Sequence, residues 1–405
     1  MKRTLILLSL FAVPGMLTSC KDEAATPAPV NTATVAEVTE SAPEQVVEEP
    51  STASAEVSQL AVFHLDKLCH LLGFTDAEIK IIRAGYTGDT ATLDNLKDKN
   101  NIGIYCFGAA AGGNKELVLQ CLDKGADSNF VLIGAALGGH MDIVQLMLEK
   151  GADPNFGLIG AASGGHMDIV QLMLEKGATG YNRGLIGAAL GGHMDIVQLM
   201  LNKGATYYND GLWGAASGGH MDIVQLLLDK GATNYNRGLE VAARGGHMDI
   251  VQLLLKKGAT NYNVGLEAAA SGGHMDIVQL LLEKGATDYN RGLEGAAWGG
   301  HMDIVQLMLE KGATNYDSGL IYAAEGGHMD IVQLMLEKGA DPNEGLFYAA
   351  CGRVSILKLL LEQPGIDVNK RSSGGRTPLD LAEELGYTEC AELIRAAGGK
   401  KASEL

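Results

Sequence analysis

Residues 157–183 read GLIGAASGGHMDIVQLMLEKGATGYNR, and near-copies of this segment fill most of the chain. Its histidine recurs at His140, His166, His193, His220, His247, His274, His301 and His328, first after 26 residues and then every 27. A fixed period of roughly 20 to 50 residues marks a repeat architecture in which each unit is one supersecondary motif. Two helical segments are legible in the unit. The longer spans residues 167–176, where Ile169, Val170, Leu172, Met173 and Leu174 cover a face too wide for a surface helix, so neighbours must pack on both sides. Asp168 in the first turn and Lys176 in the last oppose the partial charges of the helix ends, and Gly177 follows as the left-handed terminator.

The shorter segment, residues 158–163, is made of small side chains. Ala161 and Ala162 permit close helix approach, and Gly164 and Gly165 supply the tight turn into the longer helix. A hairpin of this kind cannot bury its own apolar face, so units must stack. The expected fold class is therefore all-α, a solenoid of stacked helical hairpins. Tyr181, Tyr208, Tyr235, Tyr262, Tyr289 and Tyr316 form a column assigned to the connecting loops, where it seals that edge.

These segments resemble ankyrin repeats. GGHMDIVQLLLDKGAT at residues 218–233 follows the family's Gly-His-x-x-(Val/Ile)-Val-x-Leu-Leu-Leu-x-x-Gly-Ala pattern, GLEVAA at 238–243 follows its first helix, and the last unit keeps Thr377-Pro378-Leu379-Asp380. The resemblance covers roughly four-fifths of the chain. There is one departure: from Gly365 to Leu379 is 14 positions, but from Gly177 to Leu185 only 8, so the internal units have shortened β-hairpin loops. Binding through projecting fingertips, a family habit, is not expected of them. At the N-terminal end Asn114 stands in the histidine slot, and residues 81–96 form a degenerate unit. The array spans residues 79–400, about 12 units ending in a C-terminal cap, and 401–405 are a tail. Residues 57–78 are expected to form an amphipathic capping helix.

The first 19 residues carry Lys2 and Arg3 before an apolar run shorter than the roughly 18 residues of a membrane span, as in a signal peptide. Leu17, Thr18 and Ser19 before Cys20 resemble the lipobox of bacterial lipoproteins, which implies a lipid on the Cys20 thiol; an ordinary signal peptide containing a cysteine is the alternative. Lys21, Asp22 and Glu23 resemble a short signal that exports lipoproteins to the outer surface. Residues 20–56, rich in Ala, Thr, Pro and Glu, bury too little apolar surface to offset ordering and read as an acidic flexible linker. The expected location is the bacterial cell envelope, with the membrane contacted through the lipid alone. A net charge of -18 argues against a nucleic-acid partner.

Repetition decides against chemistry at the histidines. Equivalent rings lie one helix spacing apart, about 8 to 10 Å, whereas a metal needs ligands about 2 Å from one ion. In the family the matching histidine braces the turn, and that role is expected here. Eight equivalent groups also offer no convergence of unlike catalytic roles, so no enzyme, no cofactor and no metal site is expected. His64, Cys69 and His70 lie close together, but mostly beside core positions. Cys106, Cys121 and Cys390 occupy apolar slots, while Cys351 sits at a variable one and is the candidate for an exposed, reactive thiol.

Information lies where the frame is fixed and the letter changes. The slot after Leu in the short helix runs Ile159, Ile186, Trp213, Glu240, Glu267, Glu294, Ile321, Phe347; the slot after Ala-Ala runs Ser163, Leu190, Ser217, Arg244, Ser271, Trp298, Glu325, Cys351. The resemblance puts the second slot on the concave face and the first close to it. Glu240, Glu267 and Glu294 then form a like-charge ladder, unfavourable unless something basic meets it, and Trp is a common interface anchor. A solvated face, with each Trp folded over its neighbours, is the plainer reading. The candidate partner-binding residues are Trp213, Glu240, Arg244, Glu267, Glu294, Trp298 and Glu325, and the expected function is a non-enzymatic, monomeric scaffold for a protein partner of basic character. The alternative is a structural spacer or strut.

Overall fold

A computed structural model of the chain describes residues 76–96 and 99–405. The signal peptide, Cys20, the acidic linker, the His64, Cys69 and His70 group and residues 57–75 of the expected capping helix lie outside the described residues. The described part is all helical, with no strand, and comprises twelve helix pairs in sequence. It divides into two compact units, the first ending at Gly187 and the second running from Ala188 to Leu405, with the division falling inside helix Tyr181–Gly191.

One repeat of the second unit shows why the sequence folds as it does. The long helix Met248–Lys257 buries Ile250, Val251 and Leu254 completely, on the face that meets the short helices. Burial of each such side chain contributes about 1.5 to 3 kcal/mol. Asp249 accepts the Ile250 amide at 2.8 Å, satisfying one of the donors a helix start leaves unpaired. Gly258, at φ 109°, ends the helix as the terminal glycine of the unit should. The short helix Tyr235–Gly245 is longer than its apolar core predicts. It buries Gly238, Leu239, Val241, Ala242 and Ala243, but it begins at the tyrosine. Tyr181, Tyr208, Tyr235, Tyr262, Tyr289 and Tyr316 thus each open a helix rather than sit in a loop. The small-residue run had marked only the packed middle of the helix, and its polar first turn carried no periodicity.

Repeats are joined at both ends of the short helices. In the first unit His140 Nε2 lies 3.0 Å from the Ala111 carbonyl oxygen, and His166 Nε2 3.1 Å from that of Leu137. In the second unit the same bond links His220 to Leu190, His247 to Ser217, His274 to Arg244, His301 to Ser271 and His328 to Trp298, at 3.0 to 3.2 Å. A carbonyl only accepts, so Nε2 carries the proton and donates. The histidine therefore reaches back a whole repeat and caps the end of the preceding short helix. The expected turn brace is in fact a bolt between repeats. Arg353, in the histidine slot of its unit, does the same with Nε and Nη2 on the Glu325 carbonyl at 3.1 and 2.7 Å.

The other end is tied by asparagine. Asn236 Oδ1 accepts the amides of Thr260 and Asn261 at 2.7 and 3.0 Å; Asn263 accepts those of Thr287 and Asp288, and Asn290 those of Thr314 and Asn315. In the first unit Asn155 accepts from Thr179 and Gly180. Backbone donors that a projecting loop would pair internally are satisfied here by one side chain of the repeat before. The short internal loop is viable because that asparagine reaches it. The last unit has the longer loop, closed by Ser372 and Arg376 with a 2.9 Å backbone bond, and starts its short helix with a Thr377–Asp380 capping box.

The Gly-Gly before each histidine belongs to the same bolt. A Cβ on Gly272 would strike the Arg244 carbonyl oxygen, and one on Gly273, at φ +78°, would strike the His301 ring. Gly285, at φ +102°, has nothing within 4 Å. Gly285→Ala should therefore cost only the left-handed backbone strain, about 1 to 2 kcal/mol. Gly273→Ala adds loss of the His301 bond and should lower the urea midpoint by clearly more. Equal shifts for the two variants would show that the histidine contact adds nothing to stability.

Candidate functional site

Apart from Cys351, which follows the end of helix Pro342–Ala349, the variable slots fall on the short helices, and in the second unit they bring acids, arginines and aromatic rings together. Trp213 is half-buried, and the Arg237 guanidinium carbon lies 5.2 Å from its ring centroid. Asp210 fixes Arg237 from the other side at 3.2 Å. Glu240 pairs with Arg244 one turn along its own helix at 3.3 Å. Glu267 pairs with Arg291 of the following repeat at 3.3 Å, and Arg291 also meets Asp288 at 3.5 Å. Exposed pairs of this kind contribute about 0.2 to 1 kcal/mol each, so they set local charge more than stability. Two rungs of the glutamate ladder are thus met by the chain's own arginines.

Glu294 differs. The position that would answer it, equivalent to Arg291 one repeat on, is Ser318. No cation forms an ion pair with Glu294 among the described residues. Burial pushes its carboxyl above the usual range, opposed by a hydrogen bond from Ser318; the charges of Glu267 and Asp288 add to the rise and Arg291 works against it. Four residues on, Trp298 is 49% exposed although its carbonyl is held by His328. Glu325, in the equivalent slot of the next repeat, is also exposed with its carbonyl bolted by Arg353. The bolt holds the backbone and leaves the side chain free to vary.

Two residues of this surface were not among the sequence candidates. Tyr322 and Tyr348 are 36% and 39% exposed. Burial raises the Tyr322 phenol, and the charges of Glu294, Glu267, Glu325 and Tyr348 act in the same direction. The signal was present in the slot one beyond the glutamates, which reads Gly160, Gly187, Gly214, Val241, Ala268, Gly295 and then Tyr322 and Tyr348. A Cβ at Gly295 would meet the Glu267 carbonyl, so that slot reads as packing rather than surface until the tyrosines appear.

Chemistry elsewhere is sparse. Among the described residues no group of three or more His, Cys, Asp or Glu is placed to hold a metal ion, and no helix is long and apolar enough to cross a membrane. Cys106, Cys121 and Cys390 are buried free thiols. Cys351 is half-buried, its thiol raised by burial and donating to the Phe347 carbonyl at 3.4 Å, so the expectation of an exposed reactive group is not met. Two open hollows of about 450 and 410 Å³ lie beside Tyr262 and Asn263 and beside Tyr289, residue types that recur in each internal repeat. They are products of the repeat and not a singular pocket.

A family model described as ankyrin repeats (3 copies) matches residues 132–210, 158–237, 185–265, 212–292, 239–318, 268–345, 293–372 and 320–403. The chain belongs to the ankyrin-repeat family. Ankyrin repeats are non-catalytic scaffolds that typically mediate protein–protein binding, and the matched region of this chain is of that kind. Among solved structures, the crystal structure of the human ASB11 ankyrin repeat domain is similar at 25% identity, over 47% of this chain and 98% of that one, with a TM-score of 0.34. No curated protein matches the chain.

The raised carboxyl of Glu294 gives a signed expectation. A group whose pKa is higher folded than unfolded favours folding while protonated and loses that contribution as pH rises through the folded value. Glu294→Gln should therefore raise the thermal midpoint at pH 7, and the gain should shrink to nothing as pH falls below the carboxylate range. Thermal melts of both proteins across pH 3 to about 7.5 measure it.

Proposed function

We propose that this ankyrin-repeat chain is a lipid-anchored scaffold of a bacterial envelope that binds a protein partner on the short-helix face of its repeats. The contact residues are Trp213, Glu240, Arg244, Glu267, Glu294, Trp298 and Glu325, with Tyr322 and Tyr348 added from the structure. The observation that carries the reading is the confinement of variation: the internal repeats share their histidine bolts and, apart from exchanges of Leu and Met, their buried long-helix core, while these slots change from Ile or Ser to Trp, Arg or Glu. Large aromatic and arginine side chains are the groups that dominate binding energy at protein interfaces. An acidic chain of net charge -18 favours a partner with basic character and disfavours nucleic acid.

The anchor rests on Cys20 and the residues before it, Leu17, Thr18 and Ser19, which resemble a lipobox, followed by a linker long enough to stand the array off a membrane. Attachment by acyl chains gives a tether without a spanning helix, each buried methylene contributing about 0.8 kcal/mol. The protein would act as a monomer, at the periplasmic side of the outer membrane or at the cell surface.

Two measurements check these statements separately. Cross-linking in intact cells should capture a stoichiometric partner, and replacing Glu240, Glu267 and Glu294 together by Lys should abolish that capture while leaving helicity intact. Unchanged capture would remove this face as the site, and the absence of any partner would favour a strut. For the anchor, Cys20→Ser should eliminate incorporation of radiolabelled palmitate and release the protein from the membrane fraction; labelling that persists in the variant would refute lipidation at that residue.

A further inference from the structure

The second unit contains its own template for recognising an arginine. At Trp213 a guanidinium lies over an indole, 5.2 Å from the centroid, and is fixed by the carboxylate of Asp210 at 3.2 Å. At Glu267 a guanidinium from the next repeat closes on the carboxylate at 3.3 Å. The region around helix Tyr289–Gly299 has both recognition groups, and its own arginine, Arg291, is committed to Glu267 and Asp288 and forms no ion pair with Glu294. Glu294 and Trp298 are one turn apart on that helix and so share a face. The arginine slot of the next repeat is Ser318, and the short helix that carries it also bears Tyr322, whose phenol feels the Glu294 charge, and Glu325.

From this arrangement we infer that the surface formed by Glu294, Trp298, Tyr322 and Glu325 takes an arginine side chain from an extended basic segment of the partner protein. The inference rests on the scaffold reading above and narrows it to one end of the face and one side-chain chemistry. Arginine fits better than lysine for a physical reason. Its planar guanidinium stacks on an indole and offers a fork of donors to a carboxylate at once, whereas an ammonium is a compact, strongly hydrated charge. The indole of Trp298 is 49% exposed, open enough to accept a stacked group. Glu294, partly withdrawn from water and lacking a cation, gains more from an incoming guanidinium than Glu240 or Glu267, whose charges are already answered.

The test uses the full chain and three labelled twelve-residue peptides in which serine alternates with arginine, lysine or citrulline. Fluorescence anisotropy should show the arginine peptide binding several-fold more tightly than the lysine one, with the citrulline peptide not binding. Trp298→Ala should weaken the arginine peptide about tenfold, the scale of a desolvated cation–π contact. Trp298→Phe, which keeps a ring, should recover part of the loss. Glu294→Gln should weaken it several-fold. Equal affinity for arginine and lysine, or full affinity in Trp298→Ala, would overturn the inference by reducing the contact to general charge attraction. If the native partner is lost on the triple Glu→Lys replacement yet held by Trp298→Ala, the scaffold stands and this docking mode falls.

Discussion

The bond from a histidine Nε2 to the carbonyl that ends the preceding short helix is the constraint on which the remaining features depend. A helix end leaves carbonyls unpaired, and in a stack of helices those groups face a neighbour and not water. Donation from His274 to Arg244, or from His328 to Trp298, satisfies such a group and fixes the register of one repeat on the next. It also dictates the two glycines before each histidine, because the carbonyl and the incoming ring occupy the space that side chains there would fill. Gly-Gly-His is thus one device spread over two repeats.

That device separates backbone from side chain at the slot that varies. The carbonyl of the slot residue is held whatever the side chain is, so Leu190, Ser217, Arg244, Ser271 and Trp298 all serve equally as acceptors. A surface can change letter by letter without disturbing the stack. The asparagine tie at the opposite end gives the loops the same independence, since Asn236 or Asn263 supplies acceptors that a longer hairpin would contain itself.

Electrostatics on this face follow from local supply. Arg244 and Arg291 neutralise Glu240 and Glu267, and Arg237 covers Trp213, so those positions are largely satisfied within the chain. The substitution of Ser318 for arginine leaves Glu294 with a hydroxyl donor instead of a charge. Chemical asymmetry therefore enters a nearly uniform array at one rung, and it coincides with Trp298 and the two exposed tyrosines.

The period of the histidine, the apolar letters of the long helix and the terminal glycines were sufficient by themselves to determine an all-α stack, because they encode local helix limits and faces that cannot be buried alone. The columns of Trp, Glu and Arg were also legible, since they vary against a constant frame. What the histidine reaches, which asparagine ties which loop, and that the tyrosines open helices were decided by tertiary structure. Each of those facts depends on atoms a full repeat apart, such as Asn263 with Asp288, and no spacing within one unit records them. The same holds for the face itself: Glu240, Glu267 and Glu294 look alike in sequence, and only the placement of Arg244, Arg291 and Ser318 around them makes the third differ from the first two.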